Sequence, residues 1–554
     1  MAARPRRIAV IEAGHPRADS LAALFLLFGY GGLSIASHLR RQGFEVEYFP
    51  MFISTRLDER YLASCDYLLV STMVHTAKLG YALADRLRRR PGRPPVVVFG
   101  GPHPTCEPEE TLEHCDFVVL NEGEETVVEL LRHLEGAAGA DPDPGTGSST
   151  GSRYPRHIDG LAFRGPDGEV VYTPRRAALR EIDFALDPAL IHRYRGIHGN
   201  LLASHRLRFP FPVVQFSRGC PYSCTFCLGM RQLGQQYRTR PAASVIADLE
   251  RFGDLTRFPY GMFHDNDVAI RRGETKDLLR AMARARPRIR VMSAFTRVDS
   301  TKDEELWRLF DEAGIANVFF GVESLRQASL DGFQKGTTVD GIHAAMERLD
   351  RYGVKAKIVA SFVVGDGDDP RAELALIRDF WRRYWRRLQR VVIQPLMEYP
   401  FQQKLRGQSQ LYGDEKFIHY DWDYFSGDFL VFYPKAVPPS VLQDDLRRTF
   451  RCVHGVPAGS GADWSYRRAQ ALIRYTHRDK DRNLGVYCEF LRARERGKYD
   501  RQGCLRPETL EDDVKPRELG LPTTNVLRPR SGRWRTAGRR RTAAAPAAAV
   551  PRLG

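Results

Sequence analysis

At 554 residues the chain is long enough for about three or four domains, and its 43% hydrophobic and 27% charged residues are ordinary for a globular protein. No apolar run approaches the ~20 residues needed to span a bilayer, the longest candidate being the short segment 21–28. Nine cysteines are too few for a disulfide-built secreted scaffold, and the net charge of +16 owes eight arginines to the acid-free segment 521–554, which leaves a modest +8 elsewhere.

The opening MAARPRRIAVIEAGH carries early arginines, but Glu12 breaks its apolar run, so a signal peptide is not supported and a reducing cytoplasm is the expected compartment. The first ~135 residues alternate strand and helix patterns. Strands are expected at 8–13, 46–49, 67–72, 96–101 and 116–120, with helices near 30–42 and 76–90. This is the pattern of a doubly wound, Rossmann-like parallel sheet, which binds ligands beyond the carboxyl ends of its strands. Ser71, Thr72, Gly100, Gly101, Pro102, His103, Asn121, Glu122, Gly123 and Glu124 fall there. No GxGxxG follows the first strand, so a dinucleotide site is disfavoured.

Residues 136–153 are rich in Gly, Ser, Pro and Asp and read as a flexible linker. The segment 157–174 has two short strands around Gly165-Pro166-Asp167-Gly168, a hairpin expected to bridge domains within 136–205. From 206 to 400 the strand–helix alternation resumes, with strands at 212–216, 260–265, 289–296, 316–323, 355–364 and 390–397. Six parallel units make a partial (β/α)6 barrel with its site at the carboxyl strand ends.

The loop after the first of these strands, SRGCPYSCTFCLGM, sets Cys220, Cys224 and Cys227 at Cys-x-x-x-Cys-x-x-Cys spacing. Three neighbouring thiolates suit a 4Fe–4S cluster with one iron left open. Zinc would close its site with a fourth Cys or His from a second nearby pair, and none follows. Asp265 and Asn266 end the second strand, Arg297 the third, and Glu323 with Ser324 the fourth. Lys335-Gly336-Thr337-Thr338 reads as a helix-positioning turn. The helix pattern at 373–390 interleaves aromatics and arginines. Phe380, Tyr384 and Leu388 recur at i, i+4 and i+8, which favours an outer barrel helix over a nucleic-acid surface.

Residues 401–520 hold an aromatic-rich, smaller α+β region containing Tyr412, Tyr420, Trp422, Tyr424, Phe425 and Phe429. Cys452, Cys488 and Cys504 are too dispersed for a second cluster, and the basic tail 521–554 is expected to be disordered.

The cysteine loop, with Phe226 before its last cysteine, resembles the radical S-adenosylmethionine (SAM) superfamily. The run GGPHPTCEPEETLEHCDFVVLNEGEETVVELL (100–131) resembles the cobalamin-binding domain that precedes many such barrels. Together they resemble the class B radical SAM methyltransferases. That resemblance implies a 4Fe–4S cluster on Cys220, Cys224 and Cys227, SAM on its open iron, and cobalamin over the first sheet. It implies that Glu323 and Ser324 meet the SAM ribose, that backbone near Phe226 meets the adenine, and that Arg297 either meets the SAM carboxylate or forms a structural salt bridge. Ser71, Thr72, Gly100, Gly101, Pro102, His103, Glu122 and Gly123 would lie near the corrin. The Asp-x-His-x-x-Gly element that supplies histidine to cobalt in some relatives is absent at His15 and His75, which leaves the lower cobalt ligand open.

The implied reaction is methylation of an unactivated carbon, with a 5′-deoxyadenosyl radical removing hydrogen and methylcobalamin delivering the methyl group. It needs a small-molecule substrate and an electron donor such as flavodoxin or ferredoxin. A cyclisation or rearrangement on the same domains is one alternative. An RNA-modifying methylthiotransferase is the other, and it is disfavoured because Cys65, Cys106 and Cys115 do not follow three successive strands.

Overall fold

The computed structural model describes residues 6–14, 30–50, 59–137, 154–191, 212–255, 259–365, 369–396, 417–419, 421–425, 427–434, 436–454, 484–485 and 487–500, with 502, 506 and 509 singly. The apolar run 21–28, the linker 138–153, Tyr412, Tyr420, Cys504 and the basic tail lie outside the described residues.

The first sheet has seven strands in the order β2-β1-β3-β4-β5-β6-β7. β1 (Arg7–Glu12) lies between β2 (Glu45–Pro50) and β3 (Tyr67–Ser71), and β4 (Val96–Gly100) and β5 (Phe117–Val119) follow, all parallel. Alternate side chains of these strands enter different cores: Ile8, Val10, Leu69 and Val98 join one, Ala9, Ile11, Leu68, Val70, Val97 and Phe99 the other. Burial on both faces explains why the strands read as continuous apolar runs. Helices Tyr30–Arg41 and Glu124–Ala137 cover the first face, and Ala77–Arg88 covers the second.

The hairpin expected as a bridge instead completes this sheet. β6 (Leu161–Arg164) pairs antiparallel with β5, and β7 (Val170–Tyr172) pairs with β6. Leu161, Ala162 and Phe163 are fully buried, and that apolar run holds the hairpin on the sheet edge.

The second sheet is all parallel, in the order β15-β14-β13-β12-β11-β8, as six barrel units require. Its strands are β8 (Val213–Val214), β11 (Tyr260–Phe263), β12 (Arg290–Thr296), β13 (Asn317–Glu323), β14 (Lys357–Val364) and β15 (Leu388–Pro395). Capping side chains start its helices. Asp303 accepts from Leu306 N at 3.1 Å, Thr338 from Gly341 N at 3.0 Å, and Asp369, ahead of Pro370, from Ala372 N at 2.9 Å. The helix expected over 373–390 ends at Tyr384, and Leu388 opens β15. Phe380 and Tyr384 are buried on it as expected, while Trp385 is 47% exposed.

The core on the first face runs unbroken from Ile8 and Leu130 into Phe216, Val245, Trp307 and Phe320 of the barrel. The two sheets are thus joined by shared apolar packing. The carboxy-terminal helix Pro439–His454 packs on β15 and on the helix Pro370–Tyr384, covering the barrel's edge. The same region reaches the first module: Trp422 Nε1 donates to Glu110 at 2.8 Å, and Lys78 pairs with Asp421 at 2.6 Å and Asp423 at 3.0 Å. No described helix is long and apolar enough to cross a membrane.

Candidate active site

The cysteine loop springs from a feature not foreseen in the sequence. β9 (Ser217–Arg218) pairs antiparallel with β10 (Arg238–Thr239), a two-stranded ladder that closes the base of a loop carrying all three cysteines and the helix Leu228–Leu233. Gly219 has φ +84, and a Cβ there would run into the Gln236 carbonyl, whose carbon lies 2.9 Å away, so only glycine fits. Cys220 N donates to Gly234 O at 3.1 Å, and Cys227 N to Cys224 O at 3.1 Å, which folds the thiols into one tight turn. Burial raises the Cys220 thiol above its ordinary range, and the neighbouring Cys227 and Cys224 add to the rise. Among the described residues no group of three or more His, Cys, Asp or Glu side chains is gathered as a single ion requires. A cluster spreads its thiolates over separate irons, and three thiols in one loop fit that donor set.

Each flank of the loop is held. Asp265, at the end of β11, accepts from Phe216 N at 3.2 Å and from both the amide and hydroxyl of Ser217. Burial, partly offset by those bonds, raises its carboxyl to about 7. On the other side Thr225 N donates to Phe333 O at 3.2 Å, and Phe226 meets Phe333 edge-on at 5.1 Å.

Arg297 follows β12. Its Nε donates to Asp299 at 3.1 Å, its Nη1 to Cys224 Sγ at 3.9 Å and its Nη2 to the Lys335 carbonyl, with the guanidinium 3.9 Å from the Tyr222 ring centre. Of the two roles expected for it, the salt bridge is present, and it clamps the loop.

Glu323 sits at a register shift where β13 leaves β14, with φ +69. The bulge re-aims its carboxylate to Lys335 Nζ at 2.7 Å, with both side chains 8% exposed. Lys335, expected only in a positioning turn, is thus a buried cation, 5.9 Å from the Phe226 ring centre. Ser324, expected at the SAM ribose, is fully buried and donates to Glu373 on the helix Pro370–Tyr384.

In the first module, β1 is flanked by β2 on one side and β3 on the other, so the switch point lies between β1 and β3. Glu12 and Ser71 are register partners at those strand ends, joined Oγ to Oε1 at 3.3 Å, and Gly32 N donates to Glu12 at 3.1 Å. Burial raises the Glu12 carboxyl to about 7 against both bonds. Sequence reasoning missed Glu12; a carboxylate closing an apolar strand was the available signal. Gly101 has φ +100, and its missing Cβ would stand 2.9 Å from Thr72 O, so the β3 and β4 ends meet closely. Gly100 ends β4, and Pro102 opens the short helix Pro102–Cys106. Thr72 Oγ1 and His103 Nδ1 are buried without a hydrogen-bond partner among the described residues. Orphaned polar atoms at the strand ends, with the glycine turn beside them, fit a polar ligand beyond the strand ends.

Two expected corrin neighbours are otherwise engaged. His103 Nε2 lies 2.8 Å from Tyr81 Oη, and its ring meets Trp422 edge-on at 5.0 Å. Glu122 accepts from Arg218 at 3.3 Å, Arg238 at 2.8 Å and Leu179 N at 3.1 Å. Its charge binds the base of the cysteine loop. His264, also unforeseen, ends β11 and stacks on Tyr30 of the first module, ring centres 6.3 Å apart. The residue is exposed, and the surrounding protein followed by Arg218 lowers its affinity for a proton. Cys65 and Cys115 donate to helix carbonyls Tyr61 O at 3.4 Å and Thr111 O at 3.3 Å, as ordinary buried thiols do.

Two modules with these sites define a two-cofactor α/β protein. Residues 24–131 match the B12 binding domain, and residues 214–380 match the Radical SAM superfamily. The chain carries a B12-binding domain followed by a radical SAM domain; the first implies cobalamin, the second a 4Fe–4S cluster and SAM. It is similar to an uncharacterized methyltransferase of Pyrococcus horikoshii, 28% identical over 50% of this chain and 56% of that protein. It is 26% identical to the anaerobic magnesium-protoporphyrin IX monomethyl ester cyclase of Cereibacter sphaeroides, over 64% of this chain and 54% of that one. Hopanoid C-3 methylase of Methylococcus capsulatus is 24% identical over 66% of each chain. The chain spans about half the length of the first two of these relatives. The fold is that of the radical SAM methyltransferase TsrM from Kitasatospora setae, at TM-score 0.61 and 17% identity over 86% of this chain and 100% of that chain. It is shared with the cobalamin-dependent radical enzyme OxsB, at TM-score 0.60 and 14% identity over 91% of this chain and 78% of that one.

Proposed function

We propose that this chain methylates an unactivated carbon of a small-molecule substrate, drawing electrons from a donor of the flavodoxin or ferredoxin kind. What carries the reading is one juxtaposition: the three-cysteine loop is fastened to the strand-end turn of a B12-binding sheet. When bound, SAM on the cluster supplies a hydrogen-abstracting 5′-deoxyadenosyl radical and cobalamin supplies the methyl group. The chain's own part is positional. Cys220, Cys224 and Cys227 hold the cluster as thiolates, and Arg297 fixes the Cys224 side of the loop. The Glu323–Lys335 pair holds Phe226 at the expected adenine edge. The Glu12–Ser71 junction and the Gly100-Gly101 turn shape the cobalamin end of the first sheet.

A second reading, ring closure without methylation, is favoured by the likeness to the magnesium-protoporphyrin ester cyclase. Anaerobic reconstitution with iron, sulfide and hydroxocobalamin tests the shared basis of both. About four irons and one cobalt per chain are expected, with only iron lost in the Cys220→Ala/Cys224→Ala/Cys227→Ala variant. Iron without cobalt would remove the methyl donor from the scheme. Product mass then separates the two reactions, since methylation adds a carbon and ring closure does not.

A further inference from the structure

The two arginines of the ladder beneath the cysteine loop, Arg218 and Arg238, are direct register partners. Like charges placed opposite each other destabilise an antiparallel pair. Here both guanidiniums turn to one carboxylate of the other module: Glu122 takes Arg218 Nη1 at 3.3 Å and Arg238 Nη1 at 2.8 Å. Glu124 takes Arg218 Nη2 at 2.6 Å and is itself held by Ser34 Oγ at 3.1 Å. All four charged side chains are at least nine-tenths buried, so the contact is a dry junction. The grip extends to the far end of the loop, where Asn121 Nδ2 donates to Gln232 O at 3.2 Å and Arg238 Nη2 to Leu233 O at 3.1 Å. Asn121 enters the turn at φ +61, a conformation that this junction holds.

We propose that the 121–124 turn is a positioning element that sets the separation of the cobalamin end of the first sheet from the cluster. The base of the cysteine loop is fastened to that turn, because Glu122 supplies charge shared by Arg218 and Arg238 where they sit side by side, while bonds within the loop keep it closed. The cofactor half of this inference rests on the two-cofactor reading, whereas the mechanical half stands on the junction alone.

The test uses the full-length chain with Glu122→Gln and Glu124→Gln, singly. A third variant, Glu122→Gln/Arg238→Met, removes a pair without leaving a buried lone charge. Nitroxide labels on genetically encoded ketone residues replace exposed Glu113 of the first module and exposed Asp277 of the barrel, and pulsed dipolar spectroscopy reads their separation. The shared apolar core still joins the modules in these variants, so the label distribution is expected to shift or widen measurably, without the modules coming apart, in all three variants. In reconstituted protein the coupling between cob(II)alamin and the reduced cluster should broaden in step, with iron and cobalt per chain unchanged. SAM cleavage should outrun product formation. Distributions that superimpose on wild type would overturn the proposal, as would loss of iron with the label separation intact. Widened label distances in a protein that takes up no cobalt would uphold the positioning role and sink the two-cofactor reading.

Discussion

Replacing Lys335 with methionine tests whether the fourth strand end is organised by its buried ion pair. At 2.7 Å and an effective dielectric of about 20 the attraction between Lys335 and Glu323 is about 6 kcal/mol before desolvation is charged against it. With both groups 8% exposed, desolvation consumes much of that, but removing one partner leaves a buried lone carboxylate and costs ~3–5 kcal/mol. The loss should concentrate where the pair sits. It lies over Gly321, where a Cβ would stand 2.6 Å from Lys335 Nζ, and above the bulge that gives Glu323 its φ of +69. Lys335→Met/Glu323→Gln, which removes both charges, should recover all but ~1–2 kcal/mol, since replacing a whole buried pair is often nearly neutral. The assay is hydrogen exchange of the β13 and β14 amides under native conditions, which reads local opening free energy without assuming two-state unfolding of a multidomain chain. Iron per chain is measured alongside, because Phe226 leans on the same ammonium. A double variant as destabilised as the single one would refute the reasoning, since the cost would then belong to lost packing.

Glu12 gives a pH signature. Its folded pKa of about 7 lies above the ordinary 4.5, so the folded state binds the proton more tightly than the unfolded state between those values. Stability of the first module should therefore fall as pH rises through that window, by roughly 3 kcal/mol in all, and Glu12→Gln should flatten the slope and be the more stable form above pH ~7. A Glu12→Gln profile parallel to wild type in chemical denaturation would contradict this. Two glycines should separate the cofactor sites. Gly219→Ala, forced against the Gln236 carbonyl, should lose iron and keep cobalt; Gly101→Ala, at φ +100 and 2.9 Å from Thr72 O, should lose cobalt and keep iron. Metal analysis after reconstitution checks both, and loss of both metals in either variant would argue against separate sites.

The parts of the site visible in the sequence are those whose chemistry is local. Cys220, Cys224 and Cys227 span eight residues, and the spacing itself carries the inference. The parallel strands were visible because burial on both faces leaves continuous apolar runs such as 96–99. The hairpin 161–172 was visible as a hairpin, but its place on β5 is set by a long-range pairing that local turn chemistry does not encode. Charges were the least legible. Glu122 stood at a strand end, where ligands bind, and no local pattern distinguishes a ligand-facing carboxylate from one that meets Arg238, 116 residues later. The same holds for Lys335, whose turn motif was legible and whose partner Glu323 was not, and for Ser324, which turns to Glu373, 49 residues on.

The protein partners that the sequence did not reveal share a physical cause. A strand-end position is polar because it leaves the sheet, and in a two-module chain the strand ends of one module face the other. Polar residues there divide between cofactor and neighbouring module, and only the arginines of the ladder reveal the division. Arg218 lies two residues before the first cysteine, so any change in how Glu122 and Glu124 hold it is transmitted through Gly219 to the metal-binding turn, with no flexible segment between. The acidic turn that resembles part of a cobalamin site is thus tied by ion pairs to the base of the cysteine loop. In the proposed reaction a methyl group and a substrate radical would meet between those two sites, and the 121–124 turn bonds both the start and the far end of the cysteine loop.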